Sequence, residues 1–337
     1  MTALHLKRRH FLLTLVAIIA SARATKAEPR RFRVAFANLT EEPGTRIDGL
    51  GFTGAEIRRS FELASRTLPL DMIYYDNGGD AEKALGNARD AVARKVDLLI
   101  EYNSDAGANA EIARQLSAAG IPVLAVNYPI PGAPIYAADH REAGRIAGQA
   151  LGKFAKENWS DQTLVAAILG DVLDPSPALT ERVQGVTEGL KQELPELSPA
   201  RLDSAGHPVR AGGVLAKFLA AQTKRKVLVA TLDDATALVA KSAVETAGRI
   251  NDCVIASQGA DRSIHGGASE KKEIDPANRG SIVLGSVAYY LDRYGYEILP
   301  IALQMLRGEQ VPARTSTKHV LISAKNVFAE YPPYDMN

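Results

Sequence analysis

The strongest constraint in this sequence is a regular alternation between short apolar runs and longer segments of helical period. The short runs are rich in valine, isoleucine and leucine and are bounded by turn-forming or polar residues, which is typical of buried parallel strands. The segments between them carry apolar residues three and four positions apart, as helices that cover a sheet do. The predicted strands span residues 33–39, 70–76, 96–102, 121–126, 163–170, 226–232, 253–257 and 281–287. The predicted helices span 54–67, 81–95, 108–119, 142–157, 179–194, 212–222 and 235–248.

A proline-dense loop, YPIPGAPIY at 128–136, separates these runs into two sets of the same kind. A chain of 337 residues also exceeds what one hydrophobic core usually serves. We therefore predict an α/β protein with two doubly wound domains, each built on a parallel sheet. In such sheets ligands bind outside the carboxyl ends of the strands, so two facing edges would form a cleft that closes over a small molecule.

Residues 1–27 have the three-part pattern of a secretory signal. Basic residues at 7–9 precede an apolar run of 12 residues, and alanines at 24 and 27 offer two cleavage sites. The apolar run is too short for a membrane anchor, because a bilayer span needs about 20 residues. The stretch KRRHFLL resembles a twin-arginine signal, and the general secretory route stays open as the alternative. We expect export to the periplasm.

The composition of the mature chain excludes several classes of protein. Removal of residues 1–27 leaves 35 basic and 39 acidic residues, so no basic face for nucleic acid is expected. The single cysteine, Cys253, cannot form an intramolecular disulfide, and no cysteine near the signal could accept a lipid anchor. The sequence contains no HExxH, CxxC, P-loop or GxSxG motif. We therefore expect a free, soluble protein without catalytic activity, cofactor or metal.

Seven phrases along the chain occur in the order found in a known family. They are VAFANL, YYDNGGDAEKALGNARDAVARKVDLLI, AAGIPVLAVN, AADHREAGRIAGQAL, LTERVQGVTEGL, VATLDDATALVAKSAVETAG and LQMLRGEQVP. Together they resemble the periplasmic sugar-binding proteins of ABC transporters, the type I family typified by ribose-binding protein. The resemblance extends over nearly the whole mature chain.

The resemblance implies two lobes that are joined by a three-strand hinge and close over a sugar or polyol. Residues 28–137 with 288–315 would form the N-terminal lobe, and 138–287 with 316–337 the C-terminal lobe. The chain would cross between them near 135–140, 285–290 and 312–318. The closed form would be recognised by an ABC transporter membrane permease, and delivery to a chemoreceptor stays open. We expect a monomer.

The resemblance also places residues of the N-terminal lobe in the ligand site. Asn38 ends the first strand, and Asn127 and Tyr128 follow the fourth. Relatives commonly have an arginine where Tyr128 stands, so the ring suggests stacking on the CH face of a sugar. Amide and carboxylate groups at the other positions would bind its hydroxyls.

In the C-terminal lobe the expected arginine clamp is altered. Thr180 stands where relatives often have a ligand-binding arginine, and Arg182 matches a second, more structural arginine. By analogy Asp233 would contact the ligand and Asp234 would cap the next helix. His207, in the loop SAGHPV, lies near the expected mouth of the cleft, and its alternative role is that of a surface residue.

The last candidates follow later strands, and each has an alternative reading. Asp261 is favoured as the ligand carboxylate, with Gln258 as its competitor, and Tyr289 would contact the ligand or pack beneath the terminal helix. The predicted ligand-binding residues are Asn38, Asn127, Tyr128, Thr180, Arg182, His207, Asp233, Gln258, Asp261 and Tyr289.

A different hypothesis rests on GLGFTG at 49–54, whose glycines have the spacing of a dinucleotide-binding loop. Asp76 ends the next predicted strand about 20 residues further on, as in the nicotinamide-binding fingerprint. The protein would then be an exported NAD(P)-dependent sugar oxidoreductase. Against this hypothesis, nine residues separate Leu39 from Gly49 where the fingerprint has a tight turn, and Glu41 and Glu42 would repel phosphates.

Overall fold

The computed structural model describes residues 30–266, 273–274, 278 and 281–332, so the predicted signal at 1–27 lies outside the described residues. Twelve strands, ten α-helices and two short 3-10 helices (Ile47–Gly49 and Leu291–Arg293) are formed in the described ranges, and the strands and α-helices are numbered in chain order. The strands are β1 (Phe32–Asn38), β2 (Leu70–Asp76), β3 (Leu98–Glu101), β4 (Val123–Val126), β5 (Ile135–Ala137), β6 (Leu164–Gly170), β7 (Ala200–Asp203), β8 (Lys226–Thr231), β9 (Cys253–Gly259), β10 (Val283–Ala288), β11 (Arg314–Ser316) and β12 (Leu321–Ile322). The helices are α1 (Gly54–Ser65), α2 (Ala81–Ala93), α3 (Ala106–Ala118), α4 (His140–Asn158), α5 (Pro177–Glu193), α6 (Pro208–Ala221), α7 (Asp234–Thr246), α8 (Arg262–His265), α9 (Tyr294–Leu306) and α10 (Val327–Glu330).

The strands form two six-stranded sheets of matching topology. The first has the order β11-β5-β4-β3-β1-β2 and the second β12-β10-β9-β8-β6-β7. All neighbours are parallel except β10 and β12. Buried Val, Ile and Leu side chains dominate the central strands because helices cover both faces. The prediction of two doubly wound parallel-sheet domains is confirmed, and we call the elements around each sheet the first and the second lobe.

Three segments carry the chain from one lobe to the other. They connect β5 to α4, β10 to α9, and β11 to β12. His319 links all three segments, because its Nε2 accepts from the Asp139 amide at 3.0 Å and its Nδ1 donates to the Ala288 carbonyl at 2.9 Å. Burial lowers the pKa of His319, which favours the neutral ring that both bonds require.

Several helix starts follow the capping chemistry of their sequences. The Asp80, Asp105 and Asp139 side chains each accept a backbone N–H from the first turn of the helix that follows. At α1 the cap is a complete capping box between Thr53 and Glu56. These local bonds explain why the first four predicted helices lie within two residues of their observed starts.

Helices α4 and α5 pack backbone against backbone through glycines. A Cβ atom on Gly148 would lie 2.3 Å from the Val186 carbonyl oxygen, and one on Gly189 would lie 2.1 Å from the Arg145 carbonyl oxygen. Only glycine permits this approach. The contact holds together the two helices that carry His140 and Arg182, both of which face the cleft.

The strands that the sequence did not predict are short or lie at an edge. β5, β7, β11 and β12 have two to four residues each, and β7 is a half-exposed edge strand with the sequence ARLD. β7, β11 and β12 are edge strands, whose backbone groups are paired on one side only. β5 pairs on both sides, but three residues are too few to give a recognisable apolar run. In the described part of the chain no helix has the length and hydrophobicity needed to cross a membrane.

Candidate ligand-binding site

A cavity of about 720 Å³ lies between the two lobes, at the carboxyl ends of their central strands. This is the position at which doubly wound sheets bind ligands. The first lobe contributes residues from the loops after β1, β3 and β4, and the second contributes the loops after β6, β7 and β8. The polar lining residues are Asp48, Ser104, Asn127, Tyr128, His140, Asp171, Ser176, Glu181, Arg182, Ser204, Asp233, Thr236 and Arg314.

The wall of the first lobe is organised around the carboxylate of Asp48. Its Oδ2 accepts from the Tyr102 hydroxyl at 2.5 Å and the Asn127 amide at 3.1 Å, and its Oδ1 accepts from the Tyr128 hydroxyl at 2.7 Å. Burial, followed by the charge of Asp48, raises the pKa of both tyrosines, so they remain protonated donors. An ionised carboxylate accepts about four hydrogen bonds, which leaves Asp48 room for a ligand donor.

Asn127 connects this wall to the hinge. Its amide nitrogen donates to the Tyr102 hydroxyl at 2.7 Å, and its oxygen accepts from the Ala138 amide and the Tyr294 hydroxyl, both at 3.2 Å. Its backbone φ is +57°, a left-handed conformation that asparagine tolerates better than most residues. The amide is therefore held from both sides, which orients the wall before a ligand arrives.

Arg182 provides the main cation of the opposite wall. It is 1% exposed, and its Nε donates to His140 Nδ1 at 3.2 Å and its Nη1 to the Leu232 carbonyl at 3.2 Å. Burial, aided by the charge of Arg182, lowers the pKa of His140 to about 2, so this imidazole is a neutral acceptor. Among the described residues no carboxylate forms an ion pair with Arg182. Its charge faces the cavity, held by neutral acceptors.

Four of the ten predicted residues line this cavity: Asn127, Tyr128, Arg182 and Asp233. Asp233 is also the cap of α7, accepting from the Thr236 amide at 2.7 Å. The expectation that Asp234 would be the cap is wrong. Asp234 is instead buried beneath the site, where its carboxylate accepts from two serine hydroxyls and the Asp261 amide.

Two predicted residues point to solvent instead. Thr180 is exposed on the first turn of α5, although its neighbours on both sides line the cavity. Successive residues of a helix point 100° apart, so not every residue of this turn can face the cavity. Thr180 is the one that faces solvent. His207 is exposed at the start of α6 and contributes no side-chain cap.

Four others are buried outside the lining. Asn38 donates to the Gly54 carbonyl at 2.9 Å, and Asp261 caps the short helix α8. Gln258 accepts from the Tyr289 hydroxyl at 3.2 Å. The Tyr289 ring lies 5.0 Å from the Arg182 guanidinium, so it supports the cavity one layer below its surface. None of these four residues lines the cavity.

The long connection from β1 to α1 explains why Gln258 and Asp261 do not line the cavity. Residues 39–53, here called the bridging loop, lie between the lobes in front of β9: the Leu50 carbonyl would be 3.2 Å from a Cβ atom on Gly259, and Gly51 packs directly on Asp261. The loop therefore covers the strand ends at which Gln258 and Asp261 were expected to meet the ligand. The cavity is left on the side of β6, β7 and β8.

Sequence reasoning missed Asp48 and His140 as site residues. The signal for Asp48 was an Asp–Gly pair between apolar Ile47 and Leu50, which favours a left-handed aspartate in a buried turn. Its φ is indeed +50°. His140 begins the helix after the first crossing, and no local pattern marks it.

The geometry of GLGFTG does not support a dinucleotide site. Fifteen residues separate the end of β1 from the start of α1, and the Thr53–Glu56 capping box occupies the amino terminus of α1. A carboxylate therefore lies where the fingerprint requires a pyrophosphate. No group of metal-ligating side chains occurs in the part of the chain that the structure covers.

Two doubly wound lobes joined by three crossings, with a polar cavity between them, define a two-lobed ligand-binding protein. A sequence profile described as a periplasmic binding protein domain matches residues 53–310. The chain belongs to the periplasmic binding protein family. A search of curated proteins finds no match to this sequence.

Solved structures share the whole two-lobed fold. The chain is similar to an ABC transporter solute-binding protein from Actinobacillus succinogenes with bound D-allose, at 16% identity, TM-score 0.67 and coverage of 89% of this chain and 100% of that chain. It is similar to one from Bacillus halodurans with bound myo-inositol, at 18% identity, TM-score 0.60 and coverage of 91% and 99%. One from Agrobacterium vitis with bound allitol gives 14% identity, TM-score 0.62 and coverage of 89% and 98%. At these identities the similarity establishes the fold.

Proposed function

We propose that this protein is the solute-binding component of an ABC importer, which captures a sugar or polyol between its lobes and delivers it to a membrane permease. The observation that carries the proposal is the interlobe cavity, into which oriented polar side chains from both lobes converge. The similar solved proteins that hold D-allose, myo-inositol and allitol support a polyhydroxyl ligand. We propose binding without chemical conversion as the activity of this site.

The hydrogen-bond donors and acceptors that line the cavity suit a ligand with a row of hydroxyl groups. Asp48 offers an acceptor on one wall, Arg182 offers guanidinium donors on the other, and the Tyr128 ring lies beside them. A ligand hydroxyl can donate to Asp48 and accept from Arg182, which a purely apolar or purely anionic ligand cannot do. Each polar group left unmatched in the closed site costs about 1 to 3 kcal/mol, so the arrangement discriminates between epimers.

The place of action follows from the same proposal. Residues 1–27 would direct export to the periplasm by the twin-arginine or the general secretory route, and the mature chain would act there as a monomer without a lipid anchor. Closure of the lobes would create the surface that the permease recognises. A chemoreceptor that reads the same closed surface is a second partner to test.

The test is thermal unfolding of residues 28–337 with D-allose, allitol and myo-inositol, and with NAD and NADP as controls. A ligand at a thousand times its Kd stabilises the folded state by about 4 kcal/mol, which gives a clear rise in Tm. We expect a rise with at least one polyhydroxyl compound and none with the dinucleotides. A rise with NAD or NADP alone would contradict the proposal.

The site assignment is tested with the compound that gives the largest rise. Asp48→Asn should weaken its binding by tenfold or more, because a hydrogen bond to a charged group contributes about 1.5 to 3 kcal/mol. His207→Ala changes an exposed residue outside the lining and should leave the affinity as in the wild type. Equal effects of the two substitutions would show that the ligand binds elsewhere.

A further inference from the structure

The bridging loop is fixed to the first lobe by its own small core. Ile47, Leu50 and Phe52 are each at most 2% exposed, and the Ile47 amide donates to the Phe52 carbonyl at 2.7 Å. The carboxylate of Asp48 adds the three side-chain hydrogen bonds described above. The loop is therefore an ordered part of the first lobe that moves with it.

The same loop touches the second lobe at several points. A Cβ atom on Gly51 would lie 1.6 Å from Asp261 Oδ2, so the Gly51 backbone and the Asp261 side chain are packed without space between them. Arg182 Nη2 lies 3.5 Å from the Asp48 carbonyl oxygen. Beyond the loop, at the start of α1, Glu56 forms an ion pair with Arg262 of α8 at 3.6 Å.

Every one of these contacts joins one lobe to the other, and none involves a ligand. Opening of the lobes about the three crossings would break all of them. A contact that exists only when the lobes meet shifts the equilibrium between open and closed forms towards the closed one.

We propose that the bridging loop is an internal strap that holds the lobes together in the absence of ligand, with the packing of Gly51 on Asp261 as its main contact. The strap takes over part of the interlobe contact that a ligand would otherwise have to supply. The cleft then rests closed and admits its ligand through transient opening.

The chain contains a matched pair of glycines for the test. Gly49 and Gly51 both lie in the loop with left-handed φ values, +67° and +82°. A Cβ atom on Gly49 would have no heavy atom within 4 Å, whereas one on Gly51 would collide with Asp261. Gly51→Ala and Gly49→Ala therefore impose similar backbone strain, and only the first disturbs the interlobe contact.

The experiment measures the distance between spin labels on the two lobes in ligand-free protein. Cysteines replace Ala110 of α3 and Lys217 of α6, both exposed, while the native Cys253 is buried and stays unlabelled. We expect a single short-distance population for the wild type and for Gly49→Ala, and a shift to longer distances for Gly51→Ala. Circular dichroism spectra confirm that each variant is folded.

Two outcomes overturn the proposal: a ligand-free wild type with mainly long distances, or equal shifts in the two glycine variants. Should Gly51→Ala fail to fold, Glu56→Gln replaces it, because glutamine preserves the capping box while the ion pair with Arg262 is lost. This variant should shift the distances in the same direction by a smaller amount, and an unchanged distribution overturns the proposal. No ligand is added, so the result is independent of the proposed function.

Discussion

Glu101 makes the stability of the first lobe depend on pH in a direction opposite to that of most carboxylates. Its side chain is fully buried on β3, where Oε1 accepts from the Asn77 amide at 2.7 Å. Burial raises the pKa of Glu101 from 4.5 to about 8, and the Asn77 bond only partly offsets this. Between these two values the folded protein holds a proton that the unfolded chain releases, so the free energy of unfolding falls as pH rises.

The magnitude follows from the difference between the two pKa values. Each pKa unit corresponds to 1.36 kcal/mol, so Glu101 should cost roughly 3 kcal/mol of stability between pH 4.5 and pH 7, and roughly 5 kcal/mol above pH 8.5. Glu101→Gln removes the titration and keeps the shape of the side chain. Relative to the wild type, its free energy of unfolding should rise by these amounts over the same pH range.

Urea denaturation at pH 5, 7 and 8.5, followed by far-UV circular dichroism, measures this difference. Glu82→Gln is the control, because it removes one carboxylate from the exposed surface of the neighbouring helix α2. The control difference should stay nearly constant with pH. If the difference in free energy of unfolding between Glu101→Gln and the wild type is equally constant with pH, the reasoning is refuted. The folded protein would then hold no proton on Glu101 that the unfolded chain releases.

Three further predictions concern packing and the hinge. Gly148→Ala should lower the free energy of unfolding by about 1 to 3 kcal/mol, because its Cβ would lie 2.3 Å from the Val186 carbonyl oxygen. Gly213→Ala, in open space on α6, should raise it by about 0.5 to 1 kcal/mol, and a loss in urea denaturation would contradict this. Because burial lowers the pKa of His319, its neutral ring stabilises the fold fully above pH 6.5, and this contribution declines as pH falls below that value. His319→Gln should therefore lose less stability than the wild type between pH 7 and pH 5, and identical losses would exclude this role.

The elements that could be predicted from the sequence are those whose signal is local. A buried strand such as β6 is an apolar run, and a helix such as α2 has both an apolar face and the Asp80 cap. The short edge strand β7 has neither, because it pairs on one side and remains partly exposed. Its place depends on hydrogen bonds to β6, which lies some thirty residues earlier in the chain.

The site residues divide in the same way, into those marked by their position at a strand end and those placed by contacts distant in sequence. The family resemblance placed Asn127 and Tyr128 in the site, and they line the cavity because they follow β4, whose end meets the other strand ends at one edge of the sheet. Gln258 lies near the end of the central strand β9 and Asp261 follows it, but the bridging loop covers that edge. Asp48, in the middle of this loop, receives its hydrogen bonds from residues 54 to 80 positions away.

The sequence by itself therefore determined the two doubly wound lobes, the family and the strand edges at which a ligand can bind. The lobes and strand edges follow from the period of apolar residues and from capping side chains, which act over a few positions along the chain. The family follows from the resemblance of seven phrases in order. Only the tertiary structure decided which part of the cleft stays open, because this depends on how the bridging loop packs between the lobes. That packing is fixed by contacts such as Gly51 with Asp261, which lie far apart in the sequence and meet only when both lobes are folded.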